Sequence, residues 1–173
     1  MCRDYLRLID THTSGPRYDV TPLFADHSAF AALVDDLARE VEGVQFDLIA
    51  GIDALGFILG AALALRLRKG FVPIRKGGKL PVPTDAIEFT DYSGSRKSLE
   101  LRQSGTGALR LGVPVLVMDE WIETGAQVRA SVTLIESQGG IVAGIATIHM
   151  DENEQTKRLA QTYPCFQVWP GDV

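Results

Sequence analysis

Apolar residues recur at steps of three and four between His27 and Glu42, and charged residues fill the positions between them. Such spacing predicts an amphipathic helix with one face against the core. The apolar positions are Phe30, Leu33, Val34, Leu37, Ala38 and Val41. Either Asp26 or Ser28 is expected to cap this helix, because both side chains carry an oxygen that accepts a backbone N–H.

Continuous apolar runs elsewhere predict strands that are buried on both faces. These runs are "FDLIAGI", "FVPIRK", "VPVLVMDE" and "GIVAGIATIHM". The segment "GIDALGFILGAALALRLRKG" predicts a closely packed helix ending at Gly70, and Gly125 to Gln138 predicts another. Two extended arms are expected in "IEFTDYSGSRKSLELR", and a short helix and a strand in the last part, through "CFQVW". The alternation of strands and helices indicates an α/β fold, with a parallel sheet covered on both faces.

Composition narrows the class of protein. A chain of 173 residues with 46% hydrophobic and 23% charged residues suits one folded domain, 1–173. The net charge of −5 argues against a nucleic-acid partner bound through a basic surface. The N-terminus "MCRDYLRLID" lacks a signal-peptide core, and no apolar run reaches transmembrane length, so no membrane partner is expected. Cys2 and Cys165 are expected to be reduced thiols of a cytoplasmic protein, with a disulfide between them as the alternative.

Three polar loops follow predicted strands: "GIDALG", "IRKGGKLP" and "DEWIETGAQ". In a parallel sheet, ligands bind beyond the carboxyl ends of the strands, so we expect one pocket built from these loops. Small residues in "ETGAQV" open a helix, and free N–H groups there suit a single phosphate. The alternative is an ordinary capped helix start, and the loop lacks the glycine patterns of nucleotide triphosphatases and dinucleotide folds.

Charged residues in the other two loops predict which further groups the ligand carries besides this phosphate. Asp119 and Glu120 can accept hydrogen bonds from vicinal sugar hydroxyls or hold Mg²⁺ through water, unless they form a solvated strand end. Arg75, Lys76 and Lys79 surround two glycines and form either a solvated turn or a site for a second phosphate. Together the loops predict a ribose phosphate with an additional anionic group, bound with Mg²⁺.

Longer segments resemble a known family. "VLVMDEWIETGAQ" resembles the thirteen-residue phosphoribosyl-pyrophosphate motif of type I phosphoribosyltransferases, with four apolar residues, two acids and a Thr-Gly phosphate loop. "GIDALGFILGAALALRL" followed by "GFVPIRKGGKLP", and also "YDVTPLFADHSAF", resemble the adenine-using members of that family. The resemblance runs from about Arg17 to Ile148, which is most of the chain.

The family implies a Rossmann-like parallel sheet, a small hood, a mobile loop at about 84–112 and a homodimer. It also implies a glycosyltransferase (pentosyltransferase) of purine salvage that requires Mg²⁺. A purine nitrogen displaces pyrophosphate from phosphoribosyl pyrophosphate. With adenine, the expected base, the products are AMP and pyrophosphate.

The resemblance also implies roles for the matched residues. Asp119 and Glu120 would contact the ribose hydroxyls, or Mg²⁺ through water, and support an oxocarbenium-like transition state. The 5-phosphate loop would consist of Glu123, Thr124, Gly125, Ala126 and Gln127. The pyrophosphate would meet Asp53, Ala54, Leu55 and Gly56, with the cations Arg75, Lys76 and Lys79. Arg96 and Lys97 would approach it from the mobile loop.

Several positions depart from the family pattern. Leu55 stands where the family has an arginine, which should weaken pyrophosphate binding by about 1.5–3 kcal/mol unless another cation substitutes. The phosphate loop commonly ends Thr-Gly-Gly-Thr, whereas Ala126 and Gln127 end it here.

Departures near the base site leave the function partly open. Arg17 and Tyr18 stand where the adenine enzymes have Phe-Arg, so either Tyr18 or Trp121 is the candidate to stack on the base. Two other functions therefore remain. One is a regulator that binds a ribonucleotide or phosphoribosyl pyrophosphate without turnover. The other is transfer to guanine, hypoxanthine or xanthine.

Overall fold

A computed structural model describes residues 3–14, 17–91, 93–103 and 109–169. Its strands are β1 (Leu48–Ile52), β2 (Gly70–Lys76), β3 (Thr84–Thr90), β4 (Arg96–Arg102), β5 (Pro114–Met118), β6 (Trp121–Ile122), β7 (Ile141–Thr147), β8 (His149–Met150) and β9 (Cys165–Gln167). Within the described residues, seven strands form one sheet in the order β3-β4-β2-β1-β5-β7-β9, and β6 pairs with β8 separately.

The helices are α1 (Thr21–Ala25), α2 (His27–Glu40), α3 (Leu55–Leu67), α4 (Ala126–Ser137) and α5 (Glu154–Thr162), after a 3-10 turn at Asp4–Leu8. Asp26 is the cap of α2, because its carboxylate accepts the Ala29 N–H at 2.8 Å. No described helix has the length and apolar character that crossing a membrane requires.

The predicted end of α3 at Gly70 is wrong. The helix ends at Leu67. The next residue, Arg68, adopts the left-handed conformation (φ 56°) that glycine usually occupies at the end of a helix. Gly70 instead opens β2, where a Cβ atom would lie 2.5 Å from the Leu48 side chain. This glycine therefore packs closely against Leu48 and does not cap the helix.

The sheet is parallel in its centre and antiparallel at one edge. β1, β2, β5, β7 and β9 run parallel, as predicted, whereas the predicted extended arms β3 and β4 form an antiparallel hairpin that joins β2. Asp91 organises the hairpin turn by accepting the N–H groups of Ser93 and Ser95. The hairpin lies within the predicted mobile loop, of which residues 92 and 104–108 lie outside the described part.

Helices cover both faces of the sheet, as predicted. In β1, Ile49 packs in a core formed with α2 and α3, while Leu48, Ala50 and Ile52 pack in a second core with α4. This alternation buries every residue of β1. Because β1, β2 and β5 are adjacent and parallel, the three predicted loops leave the sheet at one edge.

The sequence predicted reduced thiols for Cys2 and Cys165, with a disulfide between them as the alternative. Cys2 lies outside the described residues, so that prediction stands as made. Burial raises the pKa of the Cys165 thiol to about 11, which keeps it protonated and unreactive near neutral pH.

Candidate active site

Two neighbouring cavities lie at the carboxyl edge of the sheet. The larger, of about 530 Å³, is lined by the loop after β5 and by the β3–β4 hairpin. The smaller, of about 390 Å³, is lined by the loop after β1 and by the N-terminal segment. Four residues line both cavities: Arg17, Lys76, Trp121 and Gln127. The two cavities are therefore parts of one cleft, large enough for a ligand with two anionic ends.

The acid pair is buried, which excludes a solvated strand end. Asp119 is 3% exposed and Glu120 is 9% exposed. Asp119 accepts the Glu120 N–H at 3.0 Å and the side-chain amide of Gln127 at 3.1 Å. Burial raises the pKa of the Asp119 carboxyl well above its usual range, and the neighbouring Glu120 carboxylate adds to the rise. The pair is thus held in place at an electrostatic cost, as expected of a site prepared for a ligand.

The two carboxylates face different parts of the cleft. Asp119 lines the larger cavity and Glu120 lines the smaller one. Arg17 reaches Glu120 with Nη1 at 3.2 Å and Glu123 with Nε at 3.4 Å, so one guanidinium joins both carboxylates. Arg17 is a site residue that the sequence marked only as a departure from the family pattern. Its partner Glu120 is distant in the chain, and no local pattern indicates the contact.

The predicted phosphate loop lines the larger cavity with all five of its residues, Glu123 to Gln127. Gly125 has φ 69°, and α4 begins at the next residue. Ala126 has no positive φ, so alanine meets no conformational penalty where the family has glycine. The side chain of Gln127 donates to Asp119, which draws the amide toward the acid pair.

Glu123 introduces a carboxylate at the start of this loop. Burial raises the pKa of the Glu123 carboxyl, Glu120 and Asp151 add to the rise, and the Arg17 guanidinium opposes it. The Glu123 carbonyl accepts the side-chain amide of Asn153 at 2.6 Å, which ties the loop to the start of α5.

The predicted pyrophosphate loop borders the smaller cavity. Asp53, Ala54 and Leu55 line that cavity, and the Asp53–Ala54 peptide bond is cis. Asp53 accepts the Lys76 N–H at 3.4 Å, which joins the loop after β1 to β2. Gly56 has a packing role, because a Cβ atom there would lie 2.6 Å from the Met118 carbonyl oxygen.

The predicted cations divide between the cavities. Lys76 lines both. Arg75 lies 3.7 Å from Asp53 and donates to the Lys79 carbonyl at 3.1 Å, and neither Arg75 nor Lys79, although described, lines either cavity.

The hairpin places its cations on the other side of the cleft. Arg96, paired with Glu88, and Lys97, 3.8 Å from Asp91, line the larger cavity together with the phosphate loop. They do not line the smaller cavity, which the predicted pyrophosphate loop borders.

Glu100 organises the cationic loop and was not predicted. Its carboxylate accepts the N–H groups of Gly78 (3.0 Å), Lys79 (2.6 Å) and Leu80 (2.6 Å). Burial acts to raise the pKa of Glu100, but these backbone donors together lower it below its usual range. In the sequence, Glu100 alternates with Leu99 and Leu101, a pattern typical of a solvated strand face, so nothing local indicated its role.

A cluster of aromatic side chains lies beside the smaller cavity. Tyr18 meets Trp121 edge to face at 5.6 Å, and Tyr18 lines the smaller cavity. Trp121 is 5% exposed and donates from Nε1 to Asp151 at 2.9 Å. His149 and Trp169, which the sequence did not indicate, pack on Trp121 at 4.6 and 5.7 Å. Both predicted stacking residues are thus brought together, with the Tyr18 ring the more accessible.

The fold and this site, with a buried acid pair beside a Thr-Gly loop that opens a helix, define a type I phosphoribosyltransferase. No protein-family model matches the chain. It is 41% identical over 148 residues to the adenine phosphoribosyltransferase of Cereibacter sphaeroides, covering 84% of this chain and 81% of that one. The chain belongs to the adenine phosphoribosyltransferase family.

Solved structures agree with this assignment. Adenine phosphoribosyltransferase from Thermoanaerobacter pseudethanolicus matches with a TM-score of 0.85 at 35% identity, over 95% of this chain and 96% of that one. The Saccharomyces cerevisiae enzyme, complexed with adenine and an imino-altritol bisphosphate, matches with a TM-score of 0.81 at 26% identity, over 96% and 99%.

Proposed function

We propose that this chain is a purine-salvage enzyme that converts adenine and phosphoribosyl pyrophosphate to AMP and pyrophosphate. The observation that carries the proposal is the buried acid pair beside the phosphate loop, in a chain 41% identical to an adenine phosphoribosyltransferase. As a pentosyltransferase, it breaks the bond from the anomeric carbon to pyrophosphate, whose oxygen keeps the electron pair. A nitrogen of adenine then forms the new bond to that carbon and gives up its proton to the departing pyrophosphate or to water.

The 5-phosphate is proposed to bind at the start of α4. The loop from Glu123 to Gln127 offers backbone N–H groups there, and the helix dipole favours an anion. The acid pair beside the loop then meets the ribose. Because both carboxylates are buried and already oriented, positive charge that develops on the ribose ring is stabilised without reorganisation.

Mg²⁺ is proposed to enter with the pyrophosphate group. Within the described residues no three His, Cys, Asp or Glu side chains are grouped as metal ligands. Asp119 and Glu120 suit an ion that arrives with the substrate, since Mg²⁺ keeps several waters and combines one or two carboxylates with substrate phosphates. When bound, the ion neutralises charge on the leaving pyrophosphate.

The hairpin is proposed to act as the mobile loop that covers the reaction. Arg96 and Lys97 lie on it and already line the cavity that holds the phosphate loop. Closure would exclude water from a transition state that water could otherwise capture. We propose further that the chain is one cytoplasmic domain, which its length and composition support, and that it forms a homodimer, which the family resemblance supports.

The base is proposed to stack on Tyr18. Both residues line the smaller cavity, but Trp121 is only 5% exposed and meets Tyr18 edge to face, so Tyr18 offers the more accessible ring. Trp121 would then hold the base platform in place through its hydrogen bond to Asp151.

A regulator that binds without turnover is the second candidate, favoured by Leu55 in the cavity where the family has an arginine. The test supplies the protein with Mg²⁺, phosphoribosyl pyrophosphate and one base per reaction, choosing adenine, guanine, hypoxanthine, xanthine or uracil. Pyrophosphate and nucleotide are measured together. Adenine-dependent release of both supports the proposal. Release with another base moves the specificity, and binding without release identifies the regulator.

A further inference from the structure

The smaller cavity has few groups that could bind an anion. The described residues that line it include two cations, Arg17 and Lys76, and three carboxylates, on Asp19, Asp53 and Glu120. Asp19 is occupied by the N–H and hydroxyl of Thr21, each at 2.9 Å. Leu55, in the same cavity, offers no donor from its side chain. A pyrophosphate bound here therefore depends on few positive groups.

Arg17 lies where it can supply the missing donors. We propose that Arg17 binds the pyrophosphate group of the substrate and replaces, from the N-terminal segment, the arginine that the loop after β1 lacks at Leu55. This inference rests on the proposed function for the identity of the substrate. It adds a specific pyrophosphate-binding residue that the family pattern does not supply.

The guanidinium is both anchored and accessible. Its side chain is 43% exposed, and its contacts to Glu120 and Glu123 use Nη1 and Nε. A guanidinium carries five N–H donors in a planar fork, so donors remain for a phosphate. The Arg17 carbonyl accepts the Thr13 hydroxyl at 2.8 Å, which holds the backbone from which the side chain reaches into the cleft.

The contact with Glu120 links Arg17 to ribose binding. When the ribose hydroxyls donate to Glu120, this carboxylate no longer needs Nη1 of Arg17, and that group becomes available to the pyrophosphate. Glu123 still holds Nε, so the guanidinium stays at the boundary of the two cavities. Arg17 is therefore positioned before the ligand arrives and released toward it by the ligand itself.

The test is calorimetric binding of phosphoribosyl pyrophosphate in Mg²⁺, without a base, to wild type and to Arg17→Met. We expect the affinity to fall about 10- to 100-fold, the range for a lost charge-assisted contact. AMP, which has no pyrophosphate, should lose less than about threefold. Arg66→Met is the matched control, because Arg66 pairs with Asp35 at 2.7 Å on the far helices and should change neither affinity.

A rescue separates a pyrophosphate contact from simple neutralisation of the acids. Leu55→Arg should restore affinity for phosphoribosyl pyrophosphate to Arg17→Met and should tighten wild type only slightly. If Arg17 merely neutralises Glu123, then Glu123→Gln restores Arg17→Met and Leu55→Arg does not, which overturns the inference. Unchanged affinity for phosphoribosyl pyrophosphate in folded Arg17→Met also overturns it. Should Arg17→Met not fold, Arg17→Lys keeps the charge, loses the fork and should show a smaller loss in the same assay.

The outcome is independent of turnover. A protein that binds pyrophosphate through Arg17 but forms no AMP retains the inference and loses the proposed function. A protein that forms AMP with unchanged binding of phosphoribosyl pyrophosphate in Arg17→Met retains the function and loses the inference.

Discussion

The side-chain amide of Gln127 donates to the buried carboxylate of Asp119 at 3.1 Å. Gln127 stands where the family commonly has a compact hydroxyl residue at the end of the phosphate loop. Its longer side chain reaches from the first turn of α4 to the acid pair. A residue that the sequence assigned to phosphate binding therefore also orients the carboxylate expected to meet the ribose.

Gln127→Met should lower kcat about 10-fold or more, because it removes a hydrogen bond to a buried charged group while keeping the length of the side chain. Steady-state kinetics with adenine and phosphoribosyl pyrophosphate measure the effect. Gln155→Met is the matched control, since Gln155 is exposed and occupies the same second position of α5. An unchanged kcat in a folded Gln127→Met variant would show that Asp119 is oriented without the amide.

The double variant Asp119→Asn with Glu120→Gln should lose binding of phosphoribosyl pyrophosphate while remaining folded. It keeps the shape of both side chains and removes the charges that are proposed to hold the ribose hydroxyls. Calorimetry in Mg²⁺ measures the binding, and circular dichroism checks the fold. Retained affinity would remove the acid pair from the binding site.

Asp119 also predicts how stability depends on pH. Its raised pKa means that the folded state holds the proton more tightly than the unfolded state, so ionisation of Asp119 lowers the free energy of unfolding as pH rises. Asp119→Asn cannot ionise there. This variant should therefore be more stable than wild type at neutral pH. The advantage should disappear below about pH 4, where Asp119 of the wild type is protonated in both the folded and the unfolded state. Denaturant unfolding across this range is the measurement, and an advantage that grows toward acid would contradict the sign.

Glu100→Gln should destabilise the protein by about 1–3 kcal/mol, because at least one of the three N–H groups bound by the carboxylate loses its acceptor. The loop after β2, whose Gly77 lines the larger cavity, should loosen, so KM for phosphoribosyl pyrophosphate should rise. Since the pKa of Glu100 is lowered in the fold, its contribution is present at neutral pH and lost as pH falls through the acid range. Denaturation and kinetics test both effects, and Glu152→Gln, at an exposed position, is the control.

Tyr18→Leu should raise KM for adenine about 5- to 10-fold, because stacking on an aromatic ring contributes about 1–1.5 kcal/mol. Tyr18→Phe keeps the ring and should keep KM. Trp121→Phe should mainly lower stability, as it loses the hydrogen bond to Asp151. If Trp121→Phe raises KM for adenine and Tyr18→Leu does not, then Trp121 stacks on the base and Tyr18 does not.

Much of the fold follows from local pattern. The apolar runs located β1, β2, β5 and β7, and the rule for parallel sheets brought their following loops to one edge. The end of α3 was missed because propensity favours glycine at the left-handed position that Arg68 occupies.

The missed site residues share a different cause. Arg17 and Glu120 are 103 positions apart, and Glu100 contacts a loop about 20 positions away. Each depends on how separate elements meet, and no local spacing encodes that meeting. His149 and Trp169 likewise reach Trp121 only after the strands have assembled.

The pairing of β4 with β2 joins the hairpin to the strand that ends at Lys76. The strands meet at Arg75 with Glu100 and at Lys76 with Leu99, and Glu100 also holds the loop that follows β2. The hairpin and Lys76 therefore belong to one hydrogen-bonded part of the sheet. If the hairpin opens as proposed, its pairing with β2 links that movement to Lys76, so entry of water and release of pyrophosphate would be coupled through the hydrogen bonds between two strands.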